Sequence, residues 1–491
     1  MSAAEPGLSG LGRVHLIGIG GAGMSAVAVL LAAHGVPVSG SDAHGGPVLD
    51  ALRAVGVDAV AGHEARHVDG VDTVVVSSAI RASNVELARA RERGVRVLHR
   101  SEALALLMRG HRTVAVAGAH GKSTTSAMIA VALEHAGFEP SFAIGATVPG
   151  VPGAVGGARA GRGDVLVAEA DESDGSFLNL APELAVVTNV EPDHLDHYGD
   201  AAAFEAAFVA FARRVPADGW LIACADDDGA RRLIEAARDE GRQVVTYGFS
   251  SDADVHLTGF ETRSDPGLSG VVELGTEVRA LSGGPGTRVV QHLELAVPGE
   301  HNALNAAAAW CACRLLGVSS EAAAAGLAAF RGAGRRFDER GVVGGVRVVD
   351  DYAHHPTEVA ALVRAARGVV TGGRVLVLFQ PHLYSRTRIF AAEFARALRL
   401  ADVVVVTDVY GAREDPEPGV TGALITDRIP VEAGAVFVAD RLAAARSIAD
   451  RAQAGDLVLT VGAGDVTELG EAILEMLRDR LGAAGELGVL T

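Results

Sequence analysis

VAVAGAHGKSTTS, residues 114–126, passes from an apolar run through a glycine turn into a helix-forming stretch. That order is what a phosphate site requires. Backbone N–H groups of the turn and of the first helical residues converge on one point, and the helix dipole reinforces them. Gly118, Ala119, His120 and Gly121 supply the turn, and Lys122, Ser123 and Thr124 open the helix. The longer form of this loop carries glycine where Val116 stands. Lys122 is the only lysine in the chain, among 43 lysine and arginine residues. Its ammonium is a compact point charge that a planar guanidinium does not imitate, so a chain otherwise given over to arginine keeps lysine here. The Ser123 hydroxyl is a candidate ligand for Mg²⁺.

Two further apolar runs deliver polar groups at their carboxyl ends. DVLVAEADESD (164–174) ends on Glu169, with Asp171, Glu172 and Asp174 beyond it. LAVVTNVEPDHLDHY (184–198) delivers Asn189, Glu191, Asp193 and His194. Doubly wound sheets bind ligands at those strand ends, so these groups are predicted to converge with Lys122 on a nucleoside triphosphate and Mg²⁺.

Working outward, strand and helix alternate in three series. Residues 1–108 open with the strand RVHLIGIG, a helix from about Ala22 to His34, and the strands VPVSG and DTVVVSSAI. Residues 109–332 hold the phosphate loop; from about 243 to 298 short alternating segments such as DVHLTGF, GVVELG and HLELAVPG predict an appended antiparallel sheet. Residues 333–491 follow the Gly/Arg-rich RGAGRRFDERG and contain VRVVDDYA, RVLVLFQP, DVVVVTDVY, AVFVAD and DLVLTVGAG. The predicted fold is α/β, in three domains, each built on a mainly parallel sheet flanked by helices. The first and third are expected to be Rossmann-like and the central one P-loop ATPase-like.

The formal net charge of −18 argues against a nucleic-acid surface. No apolar run reaches the roughly 18 residues of a bilayer span, and MSAAEPGLSGLGR lacks the pattern of a secretory signal, so a cytoplasmic location is expected. Cys224, Cys311 and Cys313 are expected as buried, reduced thiols. Gly18, Gly20 and Gly23, with Asp42 ending the second strand, satisfy the dinucleotide fingerprint. Taken alone it points to NAD, but the pyrophosphate of a UDP-sugar poses the same problem to the same backbone donors.

GIGGAGMSA, SSAI, GAHGKSTT, EADESDGSFL, TNVEPDHLDHY, PGEHNALNA, GAGRRFD, DDYAHHPTEV and FQPHLYSRTR occur in that order along nearly the whole chain. Together they resemble the Mur ligase superfamily. The resemblance implies ATP-dependent ligation of L-alanine to the carboxylate of UDP-N-acetylmuramic acid through an acyl phosphate, with Mg²⁺ and without an obligate protein partner. It places ATP phosphate on Lys122 and Ser123, a first Mg²⁺ on Ser123 and Glu169, and a second on His194. Asn302 and Asn305 match the adenine side, and Arg336 an arginine near the triphosphate, with Asp351 beside the nucleotide. The first domain, through Gly18, Gly20, Gly21, Gly23, Asp42, Ser77 and Ser78, is implied to hold the UDP-sugar. His354, His355, Arg386 and Arg388 match the amino-acid side, with His354 orienting or deprotonating the amine. The chain departs from the family pattern at Ala119 and Ser123, where many relatives have threonine, and at Leu383, where relatives carry arginine. Two other readings are a peptide-recycling ligase acting on the same UDP-sugar and a non-catalytic nucleotide sensor.

Overall fold

A computed structural model describes residues 7–261, 271–272, 291–412, 414–430 and 434–487. The first sheet contains β1 (Val14–Ile17), β2 (Val38–Asp42), β3 (Asp58–Ala61), β4 (Thr73–Val76) and β5 (Arg96–His99) in the order β3-β2-β1-β4-β5. All its pairings are parallel. The strand order reverses between β1 and β4, so a crevice opens at their carboxyl ends, where the Gly18 loop and Ser77 lie.

The second sheet is built from β6 (Arg112–Ala117), β7 (Ser141–Ala143), β8 (Ala158–Arg159), β9 (Val165–Glu169), β10 (Leu184–Val187), β11 (Trp220–Cys224), β12 (Gln243–Gly248) and β13 (Val255–His256). Its order is β13-β12-β11-β10-β6-β9-β7-β8, and only the β7–β8 pairing is antiparallel. Strand β6 is therefore flanked by β9 and β10, and the three loops that follow them are neighbours. The helix Lys122–His135 is buried at every position from Ser123 to Leu133. From Ala127 to Leu133 it is apolar on all sides, as a helix segment enclosed by protein is. Gly326 lets the helix Ser320–Ala329 approach it: a Cβ there would lie 2.6 Å from Ala132 Cα.

The sequence placed the start of the appended sheet at about residue 243. In the structure β12 and β13 instead extend the parallel sheet, and the small three-stranded sheet comprises β14 (Phe260–Glu261), β15 (Val271–Val272) and β16 (Leu293–Glu294). Most of GVVELG lies outside the described residues. In the third sheet, β17 (Asp338–Val343) pairs antiparallel with β18 (Val346–Asp351). β18, β19 (Val375–Phe379), β20 (Val403–Val406), β21 (Ala435–Phe437) and β22 (Leu457–Val461) are parallel, in the order β17-β18-β22-β19-β20-β21. The molecule divides into two compact units, one holding the first two large sheets and the other the third. All three cysteines are buried and unpaired, and no helix among the described residues is long and apolar enough to cross a membrane.

Beside β2 of the first sheet, within reach of Ser41, Glu86 is wholly buried. His67 Nδ1 lies 2.6 Å from its Oε1, and His63 Nδ1 lies 3.0 Å from its Oε2, which also accepts from Ser41 Oγ. Burial pushes this carboxyl up, but the imidazoles of His15 and His67 and the Ser41 hydroxyl outweigh it and hold it at about 2, against an ordinary 4.5. A lowered carboxylate contributes stability that is complete above its unfolded-state value and is lost as the pH falls through its folded value. The difference in melting temperature between the wild type and Glu86→Gln is therefore expected to be widest above pH 4.5 and to close as the pH approaches about 2. Thermal melts of both proteins across that range measure it.

Candidate functional site

Val116 is buried within β6 and paired to Glu169 and Val186, so the turn begins only at Gly118. This accounts for the shortened glycine pattern. Gly118 has φ +134°, and a Cβ on it would meet Thr188 Oγ1 at 2.1 Å. Gly121 has φ +84°, and its Cβ would meet Asn305 Oδ1 at 2.6 Å. Both positions need glycine. The turn is tied to the end of β10: His120 N donates to Asn189 Oδ1 at 3.0 Å and Asn189 Nδ2 donates to His120 O at 3.0 Å.

Lys122 Nζ donates to Gly118 O at 2.7 Å and to Ala119 O at 3.2 Å, and lies 2.8 Å from Glu172 Oε2. Burial works against its charge. Glu172, Asp171 and Glu169 more than offset that, and the ammonium is held above its ordinary range. Burial pushes Glu172 up to about 7, with Lys122 opposing and Asp171 adding to the rise. Ser123 Oγ donates to Glu169 Oε2 at 2.9 Å, and Gly145 N donates to the same oxygen at 2.7 Å. A hydroxyl and a carboxylate so placed at the mouth of a phosphate loop form a hard oxygen donor pair, which fits Mg²⁺. His194 sits in the left-handed region at φ 52°, with Nε2 3.8 Å from Glu172 Oε1 and 3.7 Å from Asp193 Oδ2. His120 Nε2 is 3.2 Å from Glu191 Oε2, and Thr124 is buried in the first helical turn. Asn305 accepts from Thr125 Oγ1 at 3.1 Å and so stands against the turn.

In the first sheet the glycine loop turns its early donors inward. Gly18 N and Ile19 N donate to Ser41 O at 2.8 and 3.0 Å, and Gly20 N donates to Asp42 Oδ2 at 2.9 Å. Gly21 N donates to Gly18 O at 3.2 Å. Asp42 therefore shapes the loop, and the donors left for an anion are those at the start of the helix Ala22–Ala33. Ser77 and Ser78 follow β4; burial pushes the Asp174 carboxyl up, and Ser176 and Ser78 outweigh it and hold it below its ordinary range. Sequence reasoning passed over Arg100. Its guanidinium lies where a Cβ on Gly23 would be, 2.5 Å from Nη1, and donates to Asp171 Oδ2 at 3.2 Å. Its place directly after β5, at a strand's carboxyl end, was the available signal. Glu172, the partner of the lone lysine, was visible only as one acid in a run of four.

In the second unit, Asp351 ends β18, accepts from Phe337 N and Ala353 N, each at 2.8 Å, and is pushed up to about 6 by burial against the pull of Arg336. Arg336 lies over the Tyr352 ring at 5.2 Å and 3.9 Å from Glu358 Oε1. His354 Nδ1 is 3.0 Å from Tyr352 O, which fixes Nδ1 as the protonated nitrogen and leaves the Nε2 lone pair. Burial pushes His354 down to about 3, with Glu358 opposing and Arg386 and His382 lowering it further. It is therefore neutral at working pH and better suited to orient an amine than to take its proton. His355 is buried, heads the helix Pro356–Val369 and meets the Phe390 ring edge-on at 5.0 Å. Arg386 is buried, whereas Arg388 is exposed and paired with Glu417 at 3.0 Å. Asn302 is buried and donates to Pro298 O at 2.6 Å.

A glycine turn that opens a buried helix, a carboxylate facing the hydroxyl of its first turn and a second glycine loop on its own parallel sheet define a class. The chain belongs to the Mur ligase family: residues 13–112 match its catalytic domain, 116–313 its middle domain and 335–464 its glutamate ligase domain. It is 58% identical to UDP-N-acetylmuramate–L-alanine ligase of Kineococcus radiotolerans, over 97% of this chain and 99% of that one. Among solved structures, UDP-N-acetylmuramate–alanine ligase from Thermotoga maritima superposes with a TM-score of 0.78 at 29% identity, covering 95% of this chain and 99% of that one. A murein peptide ligase from Psychrobacter arcticus shares the fold, with a TM-score of 0.66 at 24% identity over 95% and 98% of the two chains.

Proposed function

We propose that this chain joins L-alanine to the carboxylate of UDP-N-acetylmuramic acid using ATP, releasing ADP and phosphate, in cytoplasmic peptidoglycan precursor synthesis. The observation that carries the chemistry is Lys122 and Ser123 held against Glu172 and Glu169 at the ends of adjacent strands. The choice of substrates rests on the near full-length likeness to alanine-adding ligases.

A carboxylate is a poor acyl donor. Its oxygen attacks the γ-phosphorus of ATP, ADP leaves, and the acyl phosphate accepts the amine of alanine. The tetrahedral intermediate then expels phosphate, and the amine proton is lost to solvent or a nearby base. Lys122 neutralises charge on the terminal phosphates during the first transfer. Mg²⁺, with Ser123 and Glu169 as ligands and His194 for a second ion, supplies further charge neutralisation when bound. The first turn of the helix after the glycine loop and Arg100 provide donors for the sugar nucleotide. His354 Nε2 and Arg386 orient the amino acid's amine and carboxylate.

Phosphate release with ATP, UDP-N-acetylmuramate and either L-alanine or a tripeptide tests the reading. Alanine is expected to give the higher kcat/KM; a preference for the peptide would reassign the chain to peptide recycling. A second test concerns the loop. A Cβ at Gly20 would stand 2.8 Å from Asp42 Oδ2 and 3.2 Å from Leu49 Cδ1. Valine there displaces Asp42 from Gly20 N. Gly20→Val is expected to raise KM for the UDP-sugar about 10-fold, the worth of one charge-assisted hydrogen bond, and to leave KM for ATP unchanged.

A further inference from the structure

The buried cluster around Glu86 takes no part in the chemistry above, yet it reaches the sugar-nucleotide loop through one residue. Glu86 is the second residue of the helix Val85–Glu92, whose Asn84 cap accepts from Glu86 N at 2.9 Å and from Leu87 N at 3.1 Å. The cap fixes the backbone, and the side chain is directed inward, 0% exposed. Its Oε1 takes His67 Nδ1 and Glu64 N, at 2.6 and 3.2 Å. Its Oε2 takes His63 Nδ1 at 3.0 Å and the Ser41 hydroxyl, and His15 Nε2 stands 3.7 Å away. A buried carboxylate is costly unless its lone pairs are filled, and an apolar residue would serve packing alone as well.

Ser41 lies on the other side of this carboxylate. In β2 it pairs with Ile17 of β1 and Val60 of β3. Its carbonyl accepts Gly18 N and Ile19 N, and the next residue, Asp42, accepts Gly20 N. Three successive N–H groups of the loop are thus held by two residues of β2, and the first of those is pinned by Glu86. We propose that Glu86 is a positioning residue for the sugar-nucleotide loop, acting through Ser41 to fix the Gly18–Gly20 turn and so the aim of the helix donors behind it. The proposal rests on the reading of this loop as the UDP-sugar site.

Glu86→Gln keeps the volume and removes the charge; Ser41→Ala removes only the hydroxyl. Phosphate release by the full-length protein gives kcat and both KM values for each variant and for the double variant, with thermal melts alongside. Each single variant is expected to raise KM for UDP-N-acetylmuramate about 10-fold, with kcat and KM for ATP within about 2-fold of wild type. The double variant is expected to be no worse than the more affected single one, because the two residues act in series. An unchanged sugar-nucleotide KM in a folded variant overturns the proposal, as does a fall in kcat with both KM values rising together. If Glu86→Gln does not fold, Ser41→Ala decides by the same criterion. Wild-type turnover with unaltered variants refutes the positioning role alone, whereas a wild type inactive on UDP-N-acetylmuramate and alanine refutes the functional reading beneath it.

Discussion

Lys122→Arg is expected to lower kcat about 10³-fold, equivalent to about 4 kcal/mol of transition-state stabilisation, although it preserves the charge. The reason lies in the space around Nζ. The ammonium directs its hydrogens to the carbonyls of Gly118 and Ala119 and to Glu172 Oε1, at 2.7, 3.2 and 3.0 Å. A guanidinium is longer and planar, and its donors leave in a fork that cannot meet the same three acceptors. The turn cannot widen to receive it, because the space beside Gly118 is filled by Thr188 and the space beside Gly121 by Asn305. Displaced from the turn, the arginine also leaves Glu172 buried with its charge uncompensated, which is destabilising in itself. Binding of the UDP-sugar in the absence of ATP is expected to stay normal, since the glycine loop of the first sheet makes none of these contacts. Paired measurements of phosphate release and UDP-sugar titration check both halves. Near-normal turnover by the arginine variant would make the lone lysine an accident of composition.

His194→Ala is expected to lower kcat about 10²-fold at saturating Mg²⁺, through loss of one ligand that holds charge against the phosphates. His194 also occupies a left-handed backbone conformation at φ 52° and precedes the short helix Leu195–Tyr198, so alanine adds some backbone strain to the loss of the imidazole. Asparagine tolerates that conformation far better. His194→Asn therefore separates the two effects: its kcat is expected to stay as low as that of the alanine variant while its melting temperature returns towards wild type. A kcat unchanged in both variants would take His194 out of the site.

The strand, glycine turn and helix around Lys122 were legible because local sequence determines them: an alternating Val/Ala run, a glycine turn and a helix former leave the chain few alternatives there. The same holds for the strand that ends on Glu169 and for β10, which leads into the loop to His194. The hairpin strand β17 was not legible. DERGVV carries charge and glycine, and its side chains are mostly exposed or half-exposed. It is a strand because β18 pairs with it, and such pairing overrides propensity. RQVVTYG was misassigned for a related reason, since a strand near a sheet's edge reads alike whether its neighbour runs parallel or antiparallel. Asp42 shows a subtler limit. Its spacing from the glycines suits a ribose contact, but the structure gives its carboxylate to Gly20 N. Arg100, Glu86 and Glu172 gain their roles from residues 45 to 77 positions away in sequence, namely Gly23, Ser41 and Lys122, and no local pattern encodes such partners.

The single lysine also makes the chain its own proteolytic reporter. An endoproteinase specific for lysine has one bond to cut in 491 residues, the one between Lys122 and Ser123. That bond lies in the first turn of a buried helix, so the native protein presents no extended strand for a protease to grip. Cleavage requires that turn to unwind, and each cut records one local opening event. The products, residues 1–122 and 123–491, differ enough in size for a gel to resolve them. Their rate of appearance as ATP is added would measure how far the nucleotide suppresses that opening, without label or engineered site.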